Sequence, residues 1–443
     1  MQKPIFTPAN VPFDFFARPN AKTALIGDSL TEMMVQFGDV VRLHPFLKLY
    51  LVNDLEALQD ILLNKVEHFL KTDNLYRHMC RIFGNGLVTN PHSWAPRRSH
   101  YQSHFHPRIL QQAAPFILHH THARLDQWAL SHQPINVAAE LLELVYNTSA
   151  HILFGEDLSQ QAKTTIKNIH DSNQLFMKNV FLPRWLPHPN TIKYYWKRRQ
   201  LRRYLAAIVD ARCQAPQEEP QNLLDSFIAL QQANTPYKLT AKEVIDEFIV
   251  FLITGHETTG GLLGWVWHVL GKYPEHLVTL YEEIDRVLGQ QPMSYEHMAQ
   301  LPFLRMVLDE TLRLYPPIWI FSRQNHDCGH VGAYRIPNRS TLIICPYTIH
   351  HHPAYWPDPY HFDPYRFTKD NKQERPKFSY IPFGKGPRVC IAGNLAIFQA
   401  SMILVTLLQR FKVTPLPNED VKPQFIVTLK PSAPVLIKVE PRF

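Results

Sequence analysis

The segment Phe383-Gly384-Lys385-Gly386-Pro387-Arg388-Val389-Cys390-Ile391-Ala392-Gly393 puts a cysteine after a glycine-rich turn, two residues beyond an arginine and just before an apolar stretch. A cysteine so placed can act as a thiolate ligand to the iron of a flat macrocycle. The sulfur must be deprotonated, which a following helix N-terminus and a nearby cation favour. It must also stay reachable while the macrocycle comes close to the backbone. Gly384 and Gly386 permit that approach and can turn amide N–H groups toward the sulfur. Phe383 can cover the sulfur side and exclude water. A lone cysteine after a glycine turn is more often a buried structural residue. Phe, Gly, Gly, Arg and Cys at these spacings, however, should co-occur by chance in roughly one chain in ten thousand, which favours ligation.

A second candidate is Thr254-Gly255-His256-Glu257-Thr258-Thr259. His256-Glu257 begins like a zinc-protease helix, but Gly260 stands where the second histidine would be needed. Glu257 beside Thr258 is instead an acid–alcohol pair able to relay protons, and such residues in mid-helix are a poor choice for helix stability alone. The competing reading is a packing notch lined by Gly255, Gly260 and Gly261. Glu310 and Arg313 lie at i,i+3, where they can pair on one helical face, and Arg366 follows within Phe362-Asp363-Pro364-Tyr365-Arg366-Phe367. Glu283 and Arg286 share the i,i+3 spacing and read as an ordinary solvated pair. Trp94 with Arg98, Arg323 and Arg388 complete the set, although an isolated arginine is more often a solvated surface residue.

Several elements must position these groups. Residues 37 to 65 carry β-branched and aromatic runs that predict a hairpin, followed by the helical pattern ALQDILL. From about 90 to 315 the pattern is mainly helical. Thr240 and Glu243 form a capping-box signature opening a helix through Phe248 and Leu252. Pro274 opens another, with Leu277, Leu280, Ile284 and Val287 on one stripe and Gly289 as its stop. A third, near Pro302 to Leu314, is stopped by Pro316 and Pro317. Residues 318 to 380 are irregular and rich in Pro, Tyr, His and Trp. An apolar helix follows Cys390 and ends near Arg410, and short strands follow from 411. The proline-bearing spacer Gln214 to Gln221 is a loop rather than a domain boundary. The expectation is a mainly α fold with a minor β region, residues 1–443 forming a single domain.

Composition narrows the setting. Of 443 residues, 45% are hydrophobic and 19% charged, enough for a large core and against global disorder. The net charge of +8 suits nucleic acid, an anionic membrane or an acidic protein partner. Five scattered cysteines without a CxxC pair point to a reducing compartment. The N-terminus lacks a signal-peptide layout, and no run approaches the ~18 to 20 apolar residues of a membrane span. A cytoplasmic location is expected. His350 to His352, and His119, His120 and His122, could bind metal, but neither group has convergent acidic or cysteine partners. Residues 176 to 203 mix aromatics with a dense basic run. They read as a lid over an apolar pocket, touching an anionic membrane, or equally as a solvated basic face. No nucleic-acid recognition module accompanies them.

The cysteine loop resembles the haem-binding signature of the cytochrome P-450 superfamily, and the other marks follow in family order from about Gly38 to the C-terminus. The resemblance implies the family's triangular, mainly helical fold, with haem b between a distal and a proximal helix and Cys390 as axial ligand to its iron. Glu310, Arg313 and Arg366 would form the structural triad that locks the meander before the cysteine loop. Trp94, Arg98, Arg323 and Arg388 would meet the haem propionates, with Phe383 beside the ligand. Thr258 and Glu257 would be the catalytic pair that supplies protons as dioxygen is activated. Two positions depart from the pattern. Ala392 stands where a glycine is usual, and Thr254 replaces a small Ala or Gly across the ring.

The implied activity is monooxygenation: dioxygen as co-substrate, with one oxygen atom inserted into an apolar small molecule such as a fatty acid, terpene or sterol-like compound. FLITGHETTGGLLGW is similar to the distal helix of long-chain fatty-acid hydroxylases. Pocket walls are expected from Phe248, Phe251, Thr254, Ile318, Trp319, Ile320 and Val427. About fifty residues follow Cys390, too few for a fused reductase, so electrons are expected from a separate ferredoxin, flavodoxin or reductase. The positive charge suits an acidic redox partner, and a monomer without bound nucleic acid is expected. A peroxide-driven hydroxylase or isomerase on the same fold, or a non-catalytic haem sensor or carrier, remain the alternatives. Neither makes evident use of Glu257 and Thr258.

Overall fold

The computed structural model of the protein describes residues 6–11, 26–44, 46–131, 133–155, 189–214 and 221–442. Residues 176–188 of the aromatic–basic stretch, and 215–220 of the spacer, lie outside them.

The organising element is the helix Ala241–Lys272, whose 32 residues run through the core. It begins at a complete capping box: the Glu243 amide donates to Thr240 Oγ1, and the Thr240 amide donates to the Glu243 carboxylate. These bonds occupy amides that the first turn would otherwise leave open. The helix is apolar almost all round, as expected of one buried inside a large domain. Its closest neighbour is the helix Val137–Phe154. A Cβ at Gly260 would lie 2.8 Å from Leu142 Cα, and one at Gly264 would lie 3.1 Å from the Ala138 Cβ. The packing-notch reading therefore accounts for Gly260, and the acid–alcohol pair beside it needs its own explanation.

The six-stranded sheet runs in the order Ala9–Asn10, Val40–Arg42, Leu49–Val52, Thr341–Ile344, Phe321–Asn325, Phe69–Leu70. Its second and third strands form the antiparallel hairpin expected from residues 37 to 65, with Val41 opposite Leu51. Arg323 sits on the strand Phe321–Asn325, opposite Leu342, and Leu70 pairs with Gln324 beside it. Near the C-terminus, Pro423–Phe425 and Leu429–Pro431 make a second antiparallel hairpin whose turn carries Val427.

The helices Glu275–Val287 and Pro302–Leu314 also match expectation. Glu283 does not. Its two carboxylate oxygens each accept an amide bond at 2.8 Å, from Phe303 and Leu304, at the start of the following helix. It is a buried helix cap rather than a solvated partner of Arg286, because the first amides of a helix demand an acceptor and the helix's positive end favours a carboxylate. The helix Gly393–Arg410 follows the cysteine loop and packs against both Ala241–Lys272 and Pro107–Ala129.

Candidate functional site

The cysteine loop is held by its own backbone. Cys390 N donates to Phe383 O at 2.8 Å, Gly384 N to Ile381 O at 3.0 Å and Val389 N to Gly386 O at 3.0 Å. Gly384 and Gly386 have φ of +71° and +73°, a region that side chains rarely tolerate. A Cβ on Gly386 would lie 1.8 Å from the Leu62 carbonyl oxygen, so that glycine also answers a close approach by residues 62–63. Ala392 has φ −100° and ψ 15°, which any L-residue adopts, so alanine in place of glycine strains nothing. Cys390 is exposed, so its sulfur is reachable; desolvation by the surrounding protein pushes the thiol up, while a backbone hydrogen bond from Ala392 and the charge of Arg98 pull it back down. Arg98 comes from the helix Trp94–Tyr101 and donates from Nη1 to Val389 O at 2.6 Å, bracing the loop next to the sulfur.

That short helix is anchored through Arg97, which the sequence reading passed over for its neighbour. Arg97 is 4% exposed and pairs with Glu243 and, at 3.1 Å, with Glu247 on the long helix. Burial drives the Glu247 carboxyl up to about 7 although it accepts from Leu87 N and Arg97. Adjacent residues on a helix point about 100° apart, so one arginine grips the long helix and the other the cysteine loop.

Next to the loop lies a cluster of cations, Arg323 buried and Lys71 and Arg388 half-buried. The Arg388 guanidinium stacks 4.3 Å from the Trp94 ring and donates to Pro91 O at 3.0 Å. Arg323 donates to Ser322 O at 2.7 Å and lies 3.3 Å from the Tyr76 hydroxyl. Lys71 donates to Val88 O at 2.8 Å. Burial and then repulsion from Arg323 hold Lys71 well below its ordinary range and bring Arg388 down to about 9. Arg388 Nη1 and Arg323 Nε are buried with no hydrogen-bond partner among the described residues. Asp73 is felt by Lys71, but its oxygens already accept from Leu75 N, Tyr76 N and Ser322 Oγ. Donors of this kind fit an incoming pair of carboxylates, and the two propionates of haem b meet that requirement. Lys71 and Tyr76 escaped the sequence reading. Only the pairing of Leu70 with Gln324 brings them to Arg323.

On the long helix, Thr258 Oγ1 donates to Thr254 O at 2.8 Å and Thr254 Oγ1 donates to Val250 O at 2.7 Å. The hydroxyl proton of Thr254 is thus committed to its own helix. Glu257 is 4% exposed, with Lys430 Nζ at 4.0 Å from its Oε1. Two of the expected pocket residues also pack against other aromatic rings. Phe248 packs its ring 3.9 Å from that of Phe154. Phe251 lies two turns before Thr258 on the same stripe, but its ring joins Tyr101, Phe105 and Phe227. Both rings are occupied in helix packing, a competition that helical periodicity alone does not reveal. Trp319 donates from Nε1 to Ile426 O at 2.8 Å, which ties the 317–320 segment to the turn bearing Val427. Ile318 is 37% exposed and Ile320 is partly buried against the core.

Around Glu310 the charges are matched within the chain, although Arg366 Nε is itself buried without a hydrogen-bond partner among the described residues. Arg313 meets Glu310 through two bonds of 2.7 Å, and Arg366 Nε lies 3.5 Å from the same carboxylate. Arg313 further donates to the carbonyls of His350, Pro359 and His361. His350 is buried, accepts from Ile381 N at 2.9 Å and faces Arg313 O through Nδ1 at 3.2 Å. It links the clamp to the run leading into the cysteine loop. No group of three His, Cys, Asp or Glu suited to a metal ion occurs among the described residues.

The family model described as "Cytochrome P450" matches residues 14–439. The chain belongs to the cytochrome P450 family. It is a haem-thiolate oxidoreductase that incorporates oxygen. Cyclooctatin synthase of Streptomyces melanosporofaciens is 28% identical over 369 residues, covering 82% of this chain and 80% of the relative. Pentalenene oxygenase of Streptomyces avermitilis is 29% identical over 382 residues, covering 84% of each. The crystal structure of the cytochrome P450DA heme domain superposes with a TM-score of 0.85 at 20% identity, covering 100% of this chain and 99% of that one. The mainly helical architecture with small sheets is thus that of a P450 heme domain. No helix among the described residues is long and apolar enough to cross a membrane.

Proposed function

We propose that this P450 hydroxylates a terpene-like hydrocarbon, with Cys390 as the axial ligand and Glu257 and Thr258 delivering protons. Bound haem would supply the activation of dioxygen and the insertion of one oxygen atom into a C–H bond, favoured by a thiolate ligand. Arg323, Arg388 and Lys71 would hold its propionates, with Trp94 stacked under Arg388. Arg98 would steady the ligand loop and Phe383 would shield the sulfur side. The Thr258 hydroxyl, which donates to Thr254 O at rest, would turn from that carbonyl to pass its proton, and Glu257 would replace it. Thr254, Trp319, Ile320 and Val427 would line the substrate side, where Thr254 offers a methyl because its hydroxyl proton is committed to Val250 O. Electrons would come from a separate ferredoxin, flavodoxin or reductase to a cytoplasmic monomer.

One observation carries the reading of the site: Glu257 is a buried carboxylate placed beside Thr258, whereas the helix's other buried acids, Asp246 and Glu247, lie near its start and are paired with Arg202 and Arg97. For the substrate class, the support is the naming of both Streptomyces relatives and of a third, cyclooctat-9-en-7-ol 5-monooxygenase, over more than four fifths of the chain. The test is a Soret titration of the purified holoprotein with cyclic terpene hydrocarbons and with long-chain fatty acids, followed by turnover with surrogate redox proteins. Terpenes should shift the band at micromolar concentrations and yield a monohydroxylated product. A shift from fatty acids alone would overturn the terpene assignment. Turnover with peroxide but not with reductant and dioxygen would replace the proton-delivery reading.

A further inference from the structure

We infer that Lys430 is a positioning residue for Glu257, and that the C-terminal hairpin carrying it couples the proton supply to the substrate wall. This rests on the reading of Glu257 as the proton-delivering acid. Lys430 lies on the strand Leu429–Pro431, and its side chain is 17% exposed while that of Glu257 is 4% exposed, with Nζ 4.0 Å from Oε1. The ammonium therefore stands between solvent and a buried acid. A carboxylate removed from water needs a cation nearby to stay ionised.

The strand that presents this cation is pinned to the same helix as the acid. Trp265 Nε1 donates to Leu429 O at 3.1 Å, which holds the strand against the helix. On its other side the hairpin is fastened to the substrate wall. Leu429 N donates to Pro317 O at 2.9 Å, and Trp319 Nε1 donates to Ile426 O at 2.8 Å. Val427 in the turn and Lys430 in the strand thus move as one piece. A substrate pressing on the turn and the ammonium facing the acid report to each other through three residues of chain.

The proton balance is simple. Glu257, held as a carboxylate, takes one proton from solvent water and gives it up toward Thr258, and so returns to the carboxylate. Lys430 keeps its proton throughout. Its work is to keep the acid ionised between deliveries and to fix its direction.

The experiment uses the holoenzyme with a surrogate ferredoxin pair and the panel terpene giving the largest Soret shift. It reads product formed per reductant consumed and the solvent deuterium isotope effect on turnover. Proton delivery by a positioned acid contributes about a hundredfold or more, so Lys430→Met should lower the product-to-reductant ratio about tenfold, raise peroxide release and enlarge the isotope effect. Lys430→Arg should restore the ratio to within about twofold. In a Glu257→Gln background, Lys430→Met should change nothing further. If Lys430→Met fails to retain haem, Lys430→Gln gives the same reading. Wild-type coupling in the Lys430 variants with an impaired Glu257→Gln overturns the inference alone. Wild-type coupling in Glu257→Gln overturns the acid assignment itself. Additive losses in the double variant place the action of Lys430 elsewhere and also overturn the inference.

Discussion

Two clusters of arginine support the cysteine loop, and they differ in where their negative charge comes from. Around Glu310 the chain supplies the counter-charge, although Arg366 Nε is left without a hydrogen bond. One carboxylate meets Arg313 through two bonds and Arg366 through a third contact, and three backbone carbonyls take the remaining Arg313 donors. Around Arg388 the chain brings cations together and keeps the nearby carboxylate of Asp73 engaged with Leu75, Tyr76 and Ser322. Guanidinium donors of Arg323 and Arg388 remain for a ligand. A cluster that closes on itself stabilises a fold. One that stays cationic selects an anion and costs stability until that anion binds.

The largest expected effect breaks the closed cluster. Glu310→Gln leaves Arg313 buried at 0% exposure without its counter-charge, which should cost about 3–5 kcal/mol. Urea unfolding, with and without haem, measures it. A loss below about 1 kcal/mol would erase the distinction between the clusters. The open cluster should answer with the opposite sign in the haem-free protein. Arg388→Met relieves the burial and repulsion that depress that group and should leave haem-free stability unchanged or raised by about 1 kcal/mol. The same variant should release haem to an acceptor globin about tenfold faster, equivalent to about 1.4 kcal/mol of lost affinity. Lys71→Met should follow in the same direction with a smaller change. If Arg388→Met instead destabilises the haem-free protein as Glu310→Gln does, both clusters are structural.

The contrast also marks what could be read from sequence. The closed cluster was legible because Glu310 and Arg313 are one helical turn apart and Arg366 belongs to a recognisable run. The cysteine loop and the capping box at Thr240 were legible for the same reason, since each is local. The open cluster was only half legible. Arg323 and Arg388 stood out by position, but Lys71 and Tyr76 join them through strand pairing, which leaves no mark on spacing. Arg97 was hidden beside Arg98 because only packing decides which arginine faces which helix. For Phe248 and Phe251 the helical phase allowed a pocket wall, and the structure adds contacts with the rings of Phe154, Tyr101 and Phe227 that spacing does not show. Gly386 was assigned to cofactor approach, and the structure adds a second demand from Leu62.

The smallest expected effect sharpens the comparison through pH. Beside the closed cluster, burial first and the positive charge of Arg313 after it keep neighbouring bases neutral. His351 is buried beside this cluster, bonded through Nδ1 to Tyr347 O at 2.8 Å. Burial, and then Arg313, lower its pKa to about 3. Its ordinary value is 6.5, so between those limits the unfolded chain binds a proton that the folded chain refuses. The stabilising contribution is fully present above 6.5 and is lost as pH falls, at a limiting slope of about 1.4 kcal/mol per pH unit. His350, lowered well below its ordinary range for the same first cause, adds a second proton to that slope. His351→Gln should therefore reduce the pH dependence of unfolding by about one proton between pH 6 and 4.5, read as the change in slope of unfolding free energy against pH. An unchanged slope would mean that the ring is charged in the folded protein. The closed cluster would then tolerate an extra cation, and the difference from the open one would lie in donor geometry rather than in charge balance.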